Sequence, residues 1–121
     1  MRNGRDAHHV TALTLLQSVG DRQMMTSNHI RGEAWTFLRR RVGHAVAVGF
    51  LDTLRRSRRL EIVHVENEME QRALVWLRRH DESDYSFVDA TSFALMRSRK
   101  IREALAFNGD FSSAGFIQLR P

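Results

Sequence analysis

Apolar residues in the first half of the chain recur mostly at helical spacing. They predict a short amphipathic helix over residues 7–19, which Gly20 ends, and a brief strand over residues 23–26. Ser27 or Asn28 is then expected to cap a second helix. Gly43 ends or bends this helix, whose apolar stripe comprises Ile30, Ala34, Phe37, Leu38 and Ala45.

Three further helical stretches alternate with short apolar runs in the rest of the chain. A helix over residues 45–56 directs Val48, Leu51 and Leu54 inward, and the next run, residues 60–65, is typical of a buried parallel strand. Asn67 and Glu70 resemble a capping box. The helix that it would open has an inner face of Met69, Ala73, Trp76 and Leu77.

The last third of the chain completes the alternation. Residues 80–84 break the preceding helix, and another begins near Ser86 with an inner face of Val88, Phe93 and Met96. The final strand candidates are residues 103–107 and 116–119. This order predicts one three-layer α/β domain over residues 1–121, with a short, mainly parallel sheet flanked by helices.

Composition narrows the class of protein. The chain has 121 residues, a formal charge of +5 and a pI near 11.1, a balance that favours polyanionic partners such as nucleic acid. It has no cysteine, which excludes disulfides, a thiol nucleophile and cysteine-ligated zinc. The apolar run at residues 10–16 is too short and mixed for a signal peptide or membrane span. We therefore expect a cytoplasmic protein without a membrane anchor.

Several conspicuous residue types have structural roles that suffice to account for them. Arginine groups at residues 39–41, 55–56, 58–59 and 78–79 fall at predicted helix ends, where the helix dipole favours cations, although they could also contact phosphates. The six histidines lack metal-ligand spacing. Trp35 and Trp76 lie on or beside apolar stripes, which favours core packing over base stacking.

Residues 84–96, DYSFVDATSFALM, resemble the segment in which PIN domains carry a metal-binding aspartate at the start of a helix. The similarity continues through IREALAF at residues 101–107, then Asp110-Phe111 and residues 114–116. Upstream, TSNHIRGE at residues 26–33 resembles the family's second strand and glutamate-bearing helix, and residues 6–9 resemble the entry to its first helix. The chain is thus similar to PIN-domain proteins of the VapC ribonuclease-toxin type.

This resemblance implies a carboxylate site for Mg²⁺, or for Mn²⁺, that hydrolyses RNA. Glu33 and Asp89 would be the catalytic residues and metal ligands, with Asp110 or Asn108 as a third ligand. Asn108 stands where the family commonly has aspartate. Local structure can also account for these acids: Asp89 forms a Ser-x-x-Asp capping box with Ser86, Glu33 suits the first turn of its helix, and Asp84 suits a cap or an outer-shell position.

The family's opening strand, which ends in a metal-binding aspartate, has no counterpart in residues 1–5. In family terms the sheet order would be 3-2-1-4-5, so the missing first strand would be the central one. Such a loss removes on the order of ten backbone hydrogen bonds of roughly 1 kcal/mol each. We expect an unstable chain, a gapped sheet, or an N-terminally truncated form of a longer protein, and favour truncation over a genuine remnant.

Three functions follow as hypotheses. The first is a Mg²⁺-dependent endoribonuclease, the toxin of a type II toxin–antitoxin system, with RNA as substrate and a cognate VapB-type antitoxin as partner. The resemblance also implies a homodimer or a toxin–antitoxin hetero-oligomer. The second is a catalytically impaired PIN remnant that binds antitoxin or RNA without cleaving. The third is a basic nucleic-acid-binding module, whose binding would fall steeply with salt and ignore Mg²⁺.

Overall fold

The structure, a computed structural model, describes residues 15–17, 24–105 and 110–119. Its strands are β1 (Leu15–Gln17), β2 (Met24–Ser27), β3 (Leu60–Val63), β4 (Glu103–Leu105) and β5 (Ile117–Leu119). Its helices are α1 (Asn28–Arg41), α2 (His44–Arg56), α3 (Asn67–Arg79), α4 (Phe87–Arg99) and α5 (Asp110–Ser113). The predicted α/β class, with helices flanking a short sheet, is confirmed. No helix in these ranges is long and apolar enough to cross a membrane.

The sheet has five strands in the order β3-β2-β1-β4-β5. The outer pairs β2–β3 and β4–β5 are parallel, whereas β1 runs antiparallel to both β2 and β4. Leu16 lies opposite Met25 on one side and Ala104 on the other. The described sheet therefore has no gap at its centre, contrary to the expectation drawn from a missing first strand.

The strand β1 overturns part of the first predicted helix, because residues 15–17 of that stretch are extended. Short apolar runs fit helix and strand equally well in sequence. A strand between β2 and β4 can form hydrogen bonds with the backbone amides and carbonyls of both neighbours, whereas a helix in the same place cannot. Residues 7–14, 18 and 19 of the predicted helix lie outside the described residues.

The two helices after β2 form as predicted, with some differences in burial. The hydroxyl of Ser27 accepts from the amide of Ile30 at 3.1 Å and caps α1, and Gly43, with φ of 133°, separates α1 from α2. In α1, Ile30 and Leu38 are buried while Ala34 and Phe37 are half-buried. Ala45 belongs to α2 and is exposed, so its place in the α1 stripe was wrong.

The predicted inner face of α2 is largely wrong. Val48 and Leu51 are each 36% exposed, whereas Ala47 and Leu54 are buried. Ala47 and Leu54 are seven residues apart and share one narrow helix face, which is the face that packs. Strand β3 is parallel as predicted but lies at the sheet edge, so within it only Val63 is fully buried.

The helix α3 begins one residue earlier than the capping-box prediction requires. Glu66 is the N-cap, without a side-chain hydrogen bond, and Asn67 is the first helical residue, so the Asn67–Glu70 box is wrong. Its inner face is confirmed, because Ala73 is buried and Met69, Trp76 and Leu77 are half-buried.

The helix α4 lies at the centre of the hydrophobic core. Every residue from Ala90 to Met96 is buried, and Phe93 is completely inaccessible to solvent. The Phe93 ring contacts four others: its centroid lies 5.0 Å from Trp76, 5.7 Å from Tyr85, 4.8 Å from Phe111 and 5.6 Å from Phe116. Trp76 thus packs against the core, as predicted. This packing fixes the axis of α4 and the start of α5.

Candidate active site

Asp89 is the third residue of α4 and closes a capping box at its start. The hydroxyl of Ser86 accepts from the backbone amide of Asp89 at 3.0 Å, and Oδ2 of Asp89 accepts from the amide of Ser86 at 3.2 Å. The capping interpretation is therefore confirmed for Asp89. Ser86 takes the N-cap position that Asp84 was also considered for. The box holds the Asp89 carboxylate in one orientation beside the helix terminus.

Asp110 approaches Asp89 from the start of α5, the helix that follows β4 along the chain. Ser83 donates a hydrogen bond from its hydroxyl to Oδ1 of Asp110 at 2.9 Å. Partial burial raises the pKa of Asp89, whereas the hydrogen bond from the Ser86 amide lowers it. The negative charge of Asp110 and a hydrogen bond with the Asp110 side chain raise the pKa of Asp89 further. Two acids therefore share a confined space.

Glu33 lies in the second turn of α1, since the helix begins at Asn28 and has no acid in its first turn. The prediction that Glu33 lies in the first turn, where the helix dipole would favour an acid, is therefore wrong. Partial burial and then the negative charge of Asp89 raise the pKa of the Glu33 carboxyl, although the residue as a whole is exposed. The carboxyl is thus close enough to Asp89 to interact electrostatically.

The three described acids therefore converge on the region where α1, α4 and α5 begin. Parallel strands β2 and β4 lead into this region, which matches the rule that sites gather at the carboxyl ends of strands. Among residues 15–17, 24–105 and 110–119, however, no three His, Cys, Asp or Glu side chains form a group able to hold a metal ion. Asn108 lies outside the described residues.

Ser83 is a site residue that sequence reasoning missed. It falls within the stretch taken as a break between helices, and its partner Asp110 is 27 residues away, so no local pattern links the two. Its hydroxyl fixes one oxygen of Asp110 and thereby the direction from which this acid meets Asp89.

Most of the arginine groups end helices, as predicted. Arg39, Arg40 and Arg41 lie in the last turn of α1, and the pairs at residues 55–56 and 78–79 lie in the last turns of α2 and α3. The pair at residues 58–59 follows α2 in the turn before β3. Trp35 is half-buried, with its ring edge-on to that of His44 at 6.0 Å.

The comparisons with known proteins agree with this fold and site. The family model of the PIN domain matches residues 3–117. The 23S rRNA-specific endonuclease VapC20 of Mycobacterium tuberculosis, from strains CDC 1551 and H37Rv, is 51% identical over 119 residues, which cover 98% of this chain and 89% of the relative. The chain therefore belongs to the PIN-domain family and is of the VapC type.

A solved structure supports the same assignment. The crystal structure of Mycobacterium tuberculosis VapC20, described as a sarcin–ricin loop cleaving toxin, superposes with a TM-score of 0.75 at 55% identity. The match covers 80% of this chain and 74% of that one. This solved structure agrees with the chain in both fold and sequence, which confirms the fold expected from the resemblance.

Proposed function

We propose that this protein is a Mg²⁺-dependent endoribonuclease, the toxin of a type II toxin–antitoxin system, and that its substrate is 23S rRNA. The observation that carries the proposal is the direct interaction of Asp89 with Asp110, beside Glu33, at the strand ends of a PIN domain. The choice of 23S rRNA as substrate rests on VapC20, a 23S rRNA-specific endonuclease that is 51% identical over nearly the whole chain.

The donor chemistry of these residues fits a hard divalent cation. Asp89 and Asp110 would hold Mg²⁺ or Mn²⁺ through carboxylate oxygens, with Glu33 adding negative charge nearby. A cation there would relieve the repulsion that raises the pKa of Asp89. With only two carboxylates in direct contact, waters or RNA phosphates would complete the coordination. Such an ion supplies polarisation of the phosphodiester and activation of water for attack.

The protein's own groups have distinct tasks in this proposal. The Ser86–Asp89 capping box orients one carboxylate, and the hydroxyl of Ser83 orients Asp110. Glu33, whose pKa is raised, can accept a proton near the reacting phosphate more readily than an ordinary glutamate. These groups hold the two aspartates in place before the substrate binds.

The test is RNA cleavage by the purified chain with Mg²⁺, with Mn²⁺ and with EDTA. We expect site-specific cleavage of RNA that contains the sarcin–ricin loop, restored by metal after EDTA treatment. Asp89→Asn, which keeps the shape of the side chain, should abolish cleavage. Glu68→Gln is the matched control, because Glu68 is an exposed acid in the first turn of α3, and it should leave cleavage intact. Equal cleavage in EDTA and in Mg²⁺ would rule out metal dependence.

An impaired PIN domain that binds RNA or antitoxin without cleaving remains the second candidate. The observation in its favour is that the described residues contain no group of three metal-ligating side chains. A folded wild-type chain that binds the same RNA, with an affinity unaffected by Mg²⁺ and without cleavage, would establish this candidate in place of the first.

The partner in this proposal is a cognate VapB-type antitoxin, and the toxin itself forms a homodimer or a hetero-oligomer with it. The toxin description of VapC20 supports the antitoxin. Val46, Val48 and Leu51 on α2 are exposed, which favours association over a monomer. Light scattering after size exclusion, with and without the co-expressed antitoxin, distinguishes these assemblies.

A further inference from the structure

The outer side of α1 carries a groove of about 480 Å³ that starts at the candidate active site. We call it the α1 groove, and its lining residues are Glu33, Thr36, Phe37, Arg40 and Arg41. They recur every three or four residues and so share one side of the helix. Glu33 at one end interacts with Asp89, whereas the other end is basic. The groove therefore leads from the acids to two arginines.

The helix dipole does not explain which arginines face the groove. Arg39, Arg40 and Arg41 all lie in the last turn of α1, where the dipole favours cations equally. Only Arg40 and Arg41 belong to the groove lining. The guanidinium carbon of Arg41 lies 5.2 Å from the centroid of the Phe37 ring, a cation–π contact that holds this charge along the groove.

We infer that the α1 groove binds the RNA strand next to the scissile phosphate and that Arg40 and Arg41 contact its backbone phosphates. The inference rests on the proposed ribonuclease function. Seven residues of helix separate Glu33 from Arg40, a rise of about 10.5 Å. This corresponds to roughly three stacked nucleotides at about 3.4 Å each. Guanidinium groups match phosphate oxygens in a two-pronged geometry, so Arg40 and Arg41 are suited to that contact.

RNA is a better occupant of this groove than an acidic peptide. The groove is continuous with Glu33 and Asp89, so a strand lying in it would pass directly to the acids that the reaction requires. The hydroxyl of Thr36, midway between the two ends, can donate to a phosphate or a ribose oxygen.

The experiment measures binding of a fluorescent single-stranded RNA carrying the sarcin–ricin loop sequence, in EDTA, across a range of salt concentrations. Each phosphate contact to single-stranded RNA releases about 0.7 counterion, which corresponds to about fourfold in affinity at 0.15 M salt. Arg40→Gln and Arg41→Gln should therefore weaken binding about fourfold each and about 14-fold together. The slope of log affinity against log salt should fall by about 1.4 in the double variant.

Arg39→Gln is the matched control, because it removes the same charge from the same helix turn outside the groove lining. It should weaken binding less than about twofold. Arg41→Lys keeps the charge but not the planar guanidinium, so it should weaken binding less than Arg41→Gln does. Circular-dichroism melts show whether each variant is folded before its affinity is compared.

Two results would overturn the inference. One is equal weakening by Arg39→Gln and Arg40→Gln, which would indicate general attraction by net charge. The other is wild-type RNA binding by the folded double variant. If the double variant loses binding of polyglutamate but not of RNA, the groove is assigned to an acidic peptide instead.

Cleavage kinetics separate this inference from the proposed function. If the wild type cleaves RNA, the double variant should raise KM about 14-fold and leave kcat unchanged, because the arginines bind substrate and transition state alike. If the wild type does not cleave, the proposed function fails. The binding comparison in EDTA then still decides whether Arg40 and Arg41 contact RNA.

Discussion

Replacing Asp89 by asparagine should raise the stability of the fold while abolishing RNA cleavage. The carboxylate of Asp89 is partly buried beside Asp110, and its raised pKa means that the charged form is disfavoured in the folded chain. Asparagine removes this charge, yet its amide oxygen can still accept from the amide of Ser86. The capping contribution of about 1 kcal/mol is therefore retained while the repulsion is lost.

The magnitude can be bounded by comparing two substitutions. Asp89→Asn should stabilise by about 0.5 to 2 kcal/mol, the range common for a single stabilising substitution. Asp89→Ala loses the same repulsion together with the cap, so it should be about 1 kcal/mol less stable than Asp89→Asn. For a chain of this size, 1 kcal/mol corresponds to about 4 °C in Tm.

The pH dependence of this difference gives an independent check. Because the folded pKa of Asp89 is raised, the chain loses stability as pH rises from the ordinary aspartate range through the folded pKa. Asp89→Asn lacks this titration. Its advantage should be full at neutral pH and should disappear below about pH 4, where aspartate is protonated in both states. Urea denaturation between about pH 4 and pH 7 measures the stability advantage of Asp89→Asn over wild type. An Asp89→Asn variant less stable than wild type at pH 7 would refute the reasoning.

Three further changes test the packing and hydrogen bonding around the site. Phe93→Ala should destabilise by about 3 to 5 kcal/mol, measured by urea denaturation, because the ring is fully buried among four others. Asn28→Ala should cost about 1 to 3 kcal/mol in the same assay, since Oδ1 of Asn28 accepts from the amide of Val65 at 2.7 Å. Lys100→Gly should raise Tm, gaining about 1 kcal/mol, because Lys100 has φ of 58°. Arg99→Gly, at the last helical position of α4, should not raise it, because Arg99 already has helical backbone angles.

The parts of the site that depend on local sequence could be predicted. The Ser86–Asp89 box is a contact between residues three apart, so the spacing alone reveals it. The same spacing at Asn67 and Glu70 was misleading, because α3 starts one residue earlier. A local motif therefore identifies a helix start only when the boundary itself is correct.

The parts that depend on pairing across the chain could not be predicted. Residues 15–17 form a strand because they complete the sheet between β2 and β4, and nothing in Leu15–Gln17 itself distinguishes strand from helix. The contacts between Ser83 and Asp110 and between Asp89 and Asp110 join segments separated by more than twenty residues. Family resemblance, rather than periodicity, brought these acids together in the sequence-based prediction.

The core and the candidate site are connected through neighbouring residues. Phe93 lies one helical turn after Asp89, and Phe111 directly follows Asp110, while the two rings pack at 4.8 Å. The aromatic contact therefore fixes the starts of α4 and α5 relative to each other. Two carboxylates that repel one another can remain close only if such packing opposes their separation. The distance between Asp89 and Asp110, on which the proposed cation binding depends, is thus set by the hydrophobic core rather than by a surface loop.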